Sequence, residues 1–190
     1  LESLDKTASE IISGRLFLGS ARHAREVGQG ENIFKITHVL NVSDGLVLMP
    51  GTTDSGIIVE WVPIRDDGTD DVFGPPQSEE ELEAALAIDA TAPTRGAWWR
   101  CRAFLEAALK EEDTRVLVHC ALGVNRSATI VTAWLMETRQ WPMQIALKYV
   151  EEKRWLVNPA ELHLQKLQAF QREHLKIMDV EKGAREQEAC

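Results

Sequence analysis

The sequence predicts an α/β domain built around a central sheet, and three observations lead there. Short apolar, β-branched segments bounded by Gly, Asp or Pro recur through the early part of the chain, the pattern of strands. Apolar residues at helical spacing crowd its later part. Between them "RVLVHC" passes through a Gly-containing turn directly into a helical pattern, a strand–turn–helix unit.

Taken in order, "RLFLGS" (Arg15–Ser20), "ITHVLNVS" (Ile36–Ser43) and "IIVEWVPI" (Ile57–Ile64) read as strands. "RVLVHC" (Arg115–Cys120) is a fourth, and its nearly continuous apolar run is that of a strand buried on both faces. The stretch 68–95 breaks the pattern with Pro75-Pro76, the acidic "SEEELEAALAIDA" and "TAPTRG". It reads as an insertion with its own short helix, capped by Ser78 with Glu81 at capping-box spacing. Ala97–Glu112 is helical, with Trp98, Phe104, Leu105 and Leu109 on one side. Further helices are expected over Ser127–Thr138, Pro142–Lys153 and Pro159–Met178, the last two opened by a proline that suits a first helical turn. One domain over 11–178 results, with flexible ends at 1–10 and 179–190 and no internal repeat.

The net charge of −9 argues against a general nucleic-acid binder, which needs a basic field to follow phosphates. No apolar run reaches membrane-spanning length, and "LESLDKTASE" lacks a basic-then-apolar signal pattern. Leu1 rather than Met opens the chain, so a targeting signal upstream of it is invisible here. Cys101, Cys120 and Cys190 form neither a metal-like pair nor a disulfide framework, which suits a reducing compartment: cytoplasm, with the nucleus also open. The His residues are scattered, so neither a metal nor a cofactor is expected.

The chemistry concentrates in "HCALGVNRS". A thiol attacks as thiolate, and a helix N-terminus just beyond Cys120 favours the anion. Ala121, Leu122, Gly123, Val124, Asn125 and Arg126 can curl so that successive backbone N–H groups converge on one centre, a nest of phosphate size. Arg126 adds a planar, permanently charged fork for two phosphate oxygens. Ser127 can donate its hydroxyl to the sulfur and help the thiolate leave, while His119 holds the loop by a ring N–H bond. Taken singly, a Cys ending a strand is usually inert packing; the His, Gly, Arg and Ser together at a strand–turn–helix junction are what point to chemistry.

"HCALGVNRSAT" resembles the HCxxGxxRS signature of the Cys-based protein tyrosine phosphatase superfamily, in a context similar to its dual-specificity branch. "ISGRLFLGSARHA", "ITHVLNVS", "ATIVTAWLM" and "NPAELHLQKLQAF" resemble further segments of that branch, so the likeness runs from Ile11 to Leu175 with the insertion excluded. The resemblance implies a protein tyrosine phosphatase-like fold, a mostly parallel four- or five-stranded sheet flanked by helices. It also implies metal-independent hydrolysis of phosphotyrosine and phosphoserine/threonine in proteins through a phosphocysteine. In that scheme Cys120 attacks phosphorus, Arg126 and the loop N–H groups hold the equatorial oxygens, and an Asp from a separate loop protonates the leaving oxygen.

That Asp has two placements. Asp66, with Asp67 beside it, follows the strand "IIVEWVPI" directly, as the family's acid does, but lies farther from Cys120 than usual. Asp89 lies at about the family distance but within an acidic helical run. Asp66 is favoured because strand ends hold side chains best. The expected partner is a phosphorylated protein, with no nucleic acid and no membrane. Two other readings stand beside this one: a phosphatase of phosphoinositides, RNA 5′ phosphates or glucans, and a phosphatase-like binding module with weak catalysis. Lipid-directed relatives tend to carry Lys in the loop, where Ala121, Leu122, Val124 and Asn125 are uncharged. Intact Cys120 and Arg126 argue against loss of catalysis.

Overall fold

The structure, a computed structural model, describes residues 5–88 and 94–176. Its strands are β1 (Ser9–Ile12), β2 (Leu16–Ser20), β3 (His38–Asn41), β4 (Gly51–Thr52), β5 (Ile58–Trp61) and β6 (Val116–Cys120). The helices are α1 (Ala21–Gly28), α2 (Glu79–Ile88), α3 (Ala97–Lys110), α4 (Arg126–Arg139), α5 (Met143–Lys153) and α6 (Glu161–Phe170). A π-helical turn, Gln171–Leu175, extends α6. All four expected strands are present, and the sheet has six because β1 and β4 add to its edges.

The sheet order is β1-β2-β6-β3-β5-β4. The ladders β2–β6, β6–β3 and β3–β5 are parallel, and only the edge pairs β1–β2 and β4–β5 are antiparallel. β6 is therefore central, and all five of its residues are buried. Its side chains alternate between two cores, as the period of a strand requires. Val116, Val118 and Cys120 face a large cluster with Trp98, Leu105, Ile130, Leu135 and Phe170, while Leu117 joins Phe17, Ala24, Val39 and Val59. Helices α3 to α6 thus cover one face and α1 the other.

Within the expected flexible end 1–10, Ser9 and Glu10 lie in β1, and Asp5 is bonded to Arg154. The stretch 68–95 leaves and re-enters the body at a closed neck. Asp71 N–H donates to Thr94 O (2.8 Å) and Gly96 N–H to Asp71 O (2.8 Å). The Asp70 carboxylate, fully buried, accepts from Arg65 N–H (2.6 Å), from the Arg65 guanidinium and from Thr94 N–H (2.7 Å). Phe73 stacks on Phe170 (4.6 Å between centroids), so the first residues of this stretch belong to the core. The predicted capping box closes α2: Glu81 N–H donates to Ser78 Oγ (3.1 Å) and Ser78 N–H to Glu81 Oε2 (3.0 Å). Residues 89–93 and the end of the last predicted helix at Met178 lie outside the described residues.

Candidate active site

Cys120 ends β6 and Arg126 begins α4, so the loop 121–125 spans the C-terminal edge of the sheet, where parallel strands of α/β folds bind ligands. Every carbonyl of that loop is taken by a donor outside it. Ala121 O accepts from Ala21 N–H (3.1 Å), Val124 O from Asn158 N–H (3.0 Å) and Asn125 O from Thr129 N–H (2.9 Å). Arg154 takes the other two, donating from Nη2 to Leu122 O (3.3 Å) and from Nε to Gly123 O (2.8 Å). A trans peptide points its C=O and the following N–H in opposite directions. Turning these carbonyls out therefore turns the N–H groups of Leu122 through Arg126 inward, which is how an anion nest is built. Gly123 is required for this path: its φ is +69°, and a Cβ there would stand 2.4 Å from Gly19 O.

The sulfur lies at the floor of this loop. Gly123 N–H and Ser127 Oγ each donate to Cys120 Sγ at 3.2 Å. His119 is fully buried, with Nδ1 3.3 Å from Cys120 O, and burial pushes its imidazole down from 6.5 to about 4, so it is neutral. Its Nε2 has no hydrogen-bond partner among the described residues.

Arg126 is 3% exposed and meets two carboxylates. Nη1 donates to Asp44 Oδ1 (2.7 Å) and to Ile64 O (3.1 Å). Asp66 Oδ1 stands 3.0 Å from Nε as an ion pair, although Nε itself makes no aligned hydrogen bond among the described residues. Asp66 is further held by Asn125, whose Nδ2 donates to Asp66 Oδ1 (2.9 Å) while its Oδ1 accepts from Ala160 N–H (2.9 Å). Asp67 is turned elsewhere, accepting from Thr69 N–H (2.9 Å) and Thr69 Oγ1 (2.7 Å) in a local turn whose hydrogen bonds keep its carboxyl below the ordinary 3.8. Asp89 lies outside the described residues. Cys120, Arg126, Ser127 and Asp66 are thus brought together, and Asp67 is not among them.

The profile described as "dual specificity phosphatase, catalytic domain" matches residues 16–173. The chain belongs to this family. Dual specificity protein phosphatase 5 of Rattus norvegicus is 33% identical to it over 144 residues, 76% of this chain and 30% of the rat protein. Protein phosphatase Slingshot homolog of Xenopus laevis is 38% identical over 74 residues, 39% of this chain and 11% of the frog protein. The chain therefore spans less than a third of the length of these curated relatives. The crystal structure of human DUSP28 matches it with a TM-score of 0.59 at 27% identity, covering 87% of this chain and 93% of that one. The human tyrosine phosphatase-like serine/threonine/tyrosine-interacting protein shares the fold, with a TM-score of 0.64 at 23% identity over 90% of this chain and 99% of that one.

Two residues of this dual specificity phosphatase domain that bear on the site were not identified from the sequence. Arg154, just past the end of α5, is buried beneath the loop, 2% exposed, and paired with the Asp5 carboxylate through Nη1 and Nη2 at 2.7 Å each. Nothing local marks it, because its partner lies at the other end of the chain. Asp44 carried a usable signal: it is an acidic residue just past the C-terminal end of a buried parallel strand, at the sheet edge where ligands bind. Cys101 is packing: it is fully buried in the core and burial pushes its thiol up. Cys190 lies outside the described residues.

Proposed function

We propose that the chain is a cysteine-dependent protein phosphatase that hydrolyses phosphotyrosine and phosphoserine/threonine. The observation that carries the reading is the alignment of Gly123 N–H and Ser127 Oγ on Cys120 Sγ, beneath inward-facing amides and beside the Arg126–Asp66 pair. The Cys120 thiolate attacks phosphorus in line, forming the S–P bond as the P–O bond of the ester breaks. Asp66 in its acid form gives its proton to the leaving oxygen, so alcohol or phenol departs neutral. Arg126 and the N–H groups of Leu122 to Arg126 hold the three equatorial oxygens as charge spreads over them. Asp66 then takes a proton from water, whose oxygen attacks the phosphocysteine. Inorganic phosphate leaves, and Ser127 stabilises the returning thiolate.

Asp66 reaches the acid role by parting from Arg126. A phosphate dianion and the Asp66 carboxylate would compete for the same edge of the guanidinium, so substrate binding displaces Asp66 toward the leaving oxygen. The mechanism needs a free thiol, consistent with work in a reducing compartment, cytoplasm or nucleus, on phosphorylated proteins. Among the described residues no helix is long and apolar enough to cross a membrane.

Turnover of p-nitrophenyl phosphate tests the reading. Cys120→Ser abolishes it, and Asp66→Asn collapses kcat with loss of the limb of the pH profile that falls on deprotonation of the acid, whereas Asp89→Asn leaves both intact. Activity that survives Cys120→Ser removes the mechanism. A profile changed by Asp89→Asn and not by Asp66→Asn reassigns the acid. A panel of phosphopeptides, inositol phosphates and 5′-triphosphorylated RNA decides the substrate class, and preference for either of the latter two overturns the protein-directed part.

A further inference from the structure

Arg126 binds two carboxylates, and only one of them has a role in the chemistry above. We propose that Asp44 is the positioning residue for Arg126: it fixes one edge of the guanidinium so that the opposite edge, Nε with Nη2, is presented to phosphate over Cys120. The inference rests on the phosphatase reading of this site.

A guanidinium carries five N–H donors in a rigid fork. Both donors of Arg126 Nη1 are consumed, one by Asp44 Oδ1 at 2.7 Å and one by Ile64 O at 3.1 Å. Two acceptors on one nitrogen, supplied by the turn after β3 and the strand exit after β5, fix the plane of the group. The three remaining donors sit on Nε and Nη2, the pair that matches two phosphate oxygens. Nε, buried and without an aligned hydrogen bond among the described residues, is on that edge, where the Asp66 carboxylate stands 3.0 Å away as the ion-pair partner a phosphate would replace.

The turn that offers Asp44 is built for rigidity. Asn41 is fully buried; its Oδ1 accepts from Ser43 N–H (2.9 Å) and Ser43 Oγ (2.7 Å), and its Nδ2 donates to Gly45 O (2.9 Å). Trp61 Nε1 donates to Ser43 O at 2.9 Å. The backbone is therefore pinned on both sides of Asp44, whose own side chain is 66% exposed. An exposed Asp on a mobile turn contributes little to an ion pair. Here neither partner has slack to lose: the arginine is buried and the turn is held by internal hydrogen bonds. The Arg126 hydrogen bond, with burial opposing it, keeps the Asp44 carboxyl below its ordinary 3.8, so it is ionised wherever the enzyme works.

Two properties separate a positioning carboxylate from a mere negative charge. Positioning acts on the transition state, where a displacement of about 1 Å costs about a hundredfold, so it appears in kcat. It also survives any replacement that keeps an acceptor on Nη1. Asp44→Ala, Asp44→Asn and the wild type are compared for kcat and KM on p-nitrophenyl phosphate, for inhibition by inorganic phosphate and for melting temperature, with Cys120→Ser as the inactive reference.

The expected result is a kcat for Asp44→Ala lowered by about tenfold to a hundredfold, with KM and the phosphate inhibition constant changed by less than about threefold. Asp44→Asn, whose Oδ1 still accepts from Nη1, recovers kcat to within about threefold of wild type. Melting temperatures stay within about 2 °C, since Asp44 is exposed and the turn is held by its neighbours. The inference is overturned if Asp44→Ala keeps its kcat. It is equally overturned if Asp44→Asn is as impaired as Asp44→Ala, which makes Asp44 a charge, or if activity is lost in step with melting temperature, which makes it a structural residue. A wild-type protein with no turnover, or with turnover that survives Cys120→Ser, fails the phosphatase reading instead, so the two failures are distinct.

Discussion

Replacing Arg154 with Leu is expected to destabilise the fold by about 3–5 kcal/mol, the cost of leaving one half of a buried ion pair without its partner. The structure supplies the reasons. The Asp5 side chain is only 10% exposed and both its oxygens are held by Arg154, while Leu122 O and Gly123 O lose their donors in the same substitution. Burial alone would raise the Asp5 carboxyl; the hydrogen bond and charge of Arg154, with the neighbouring His23 and Arg22, together outweigh it and hold the group below 3.8. For a chain of this length the loss corresponds to a fall in melting temperature of roughly 10 °C. Urea unfolding of the wild type, Arg154→Leu, Asp5→Ala and the double variant measures it. Because Asp5 and Arg154 touch, the double variant should fall short of additivity by about 2 kcal/mol or more. Turnover at a temperature where all four proteins are folded should still drop for Arg154→Leu, since the loop carbonyls are released. A loss of less than about 1 kcal/mol for Arg154→Leu, or simple additivity with Asp5→Ala, refutes the argument.

Asn125→Ala removes the amide that joins Asp66 to Ala160; kcat on p-nitrophenyl phosphate should fall by about tenfold with KM little changed, and an unchanged kcat would show that Asp66 needs no such support. His119 gives a pH signature. The unfolded chain takes up a proton near 6.5 that the folded protein resists until about 4, so this contribution to stability is complete above pH 6.5 and lost as pH falls toward 4. The full effect is about 3 kcal/mol. Urea midpoints measured across that window should show a shallower slope in His119→Gln than in the wild type, and parallel profiles would contradict the assignment.

What was legible in the sequence is what is local. Strand β6, the loop and helix α4 follow one another without interruption, so the apolar run, Gly123 and the Arg126–Ser127 pair all appear in one reading frame. The Ser78–Glu81 box is likewise specified within four residues and is found at hydrogen-bond distance. The strands β1 and β4 were not legible because each pairs on one side only, and "SEII" and "GT" carry little apolar alternation. Helix α1 escaped notice because "ARHAREVG" is largely polar, burying only Ala21, His23, Ala24 and Val27, and follows β2 with no break. Arg154 and Asp44 have their meaning through partners far along the chain, Asp5 in one case and Arg126 in the other. No window of sequence contains both members of either pair. The same distance kept the choice of acid open: Asp66 meets Asn125 and Arg126 only after the sheet has formed.

The neck closed between residues 70–74 and 94–99 separates two kinds of evolutionary freedom. Trp99 Nε1 donates to Gly74 O (2.7 Å), and the Asp70–Thr94 and Asp71–Gly96 bonds close the circuit behind it. What lies outboard can lengthen, shorten or change sequence at little cost, because closing a longer loop adds only about 0.6 kcal/mol per doubling. The arm that carries Asp66 is anchored on the inboard side and does not register the change. The domain thus holds a graftable position in the same arm as Asp66, where a peptide epitope or a recognition segment can be exchanged while the site below stays as it is.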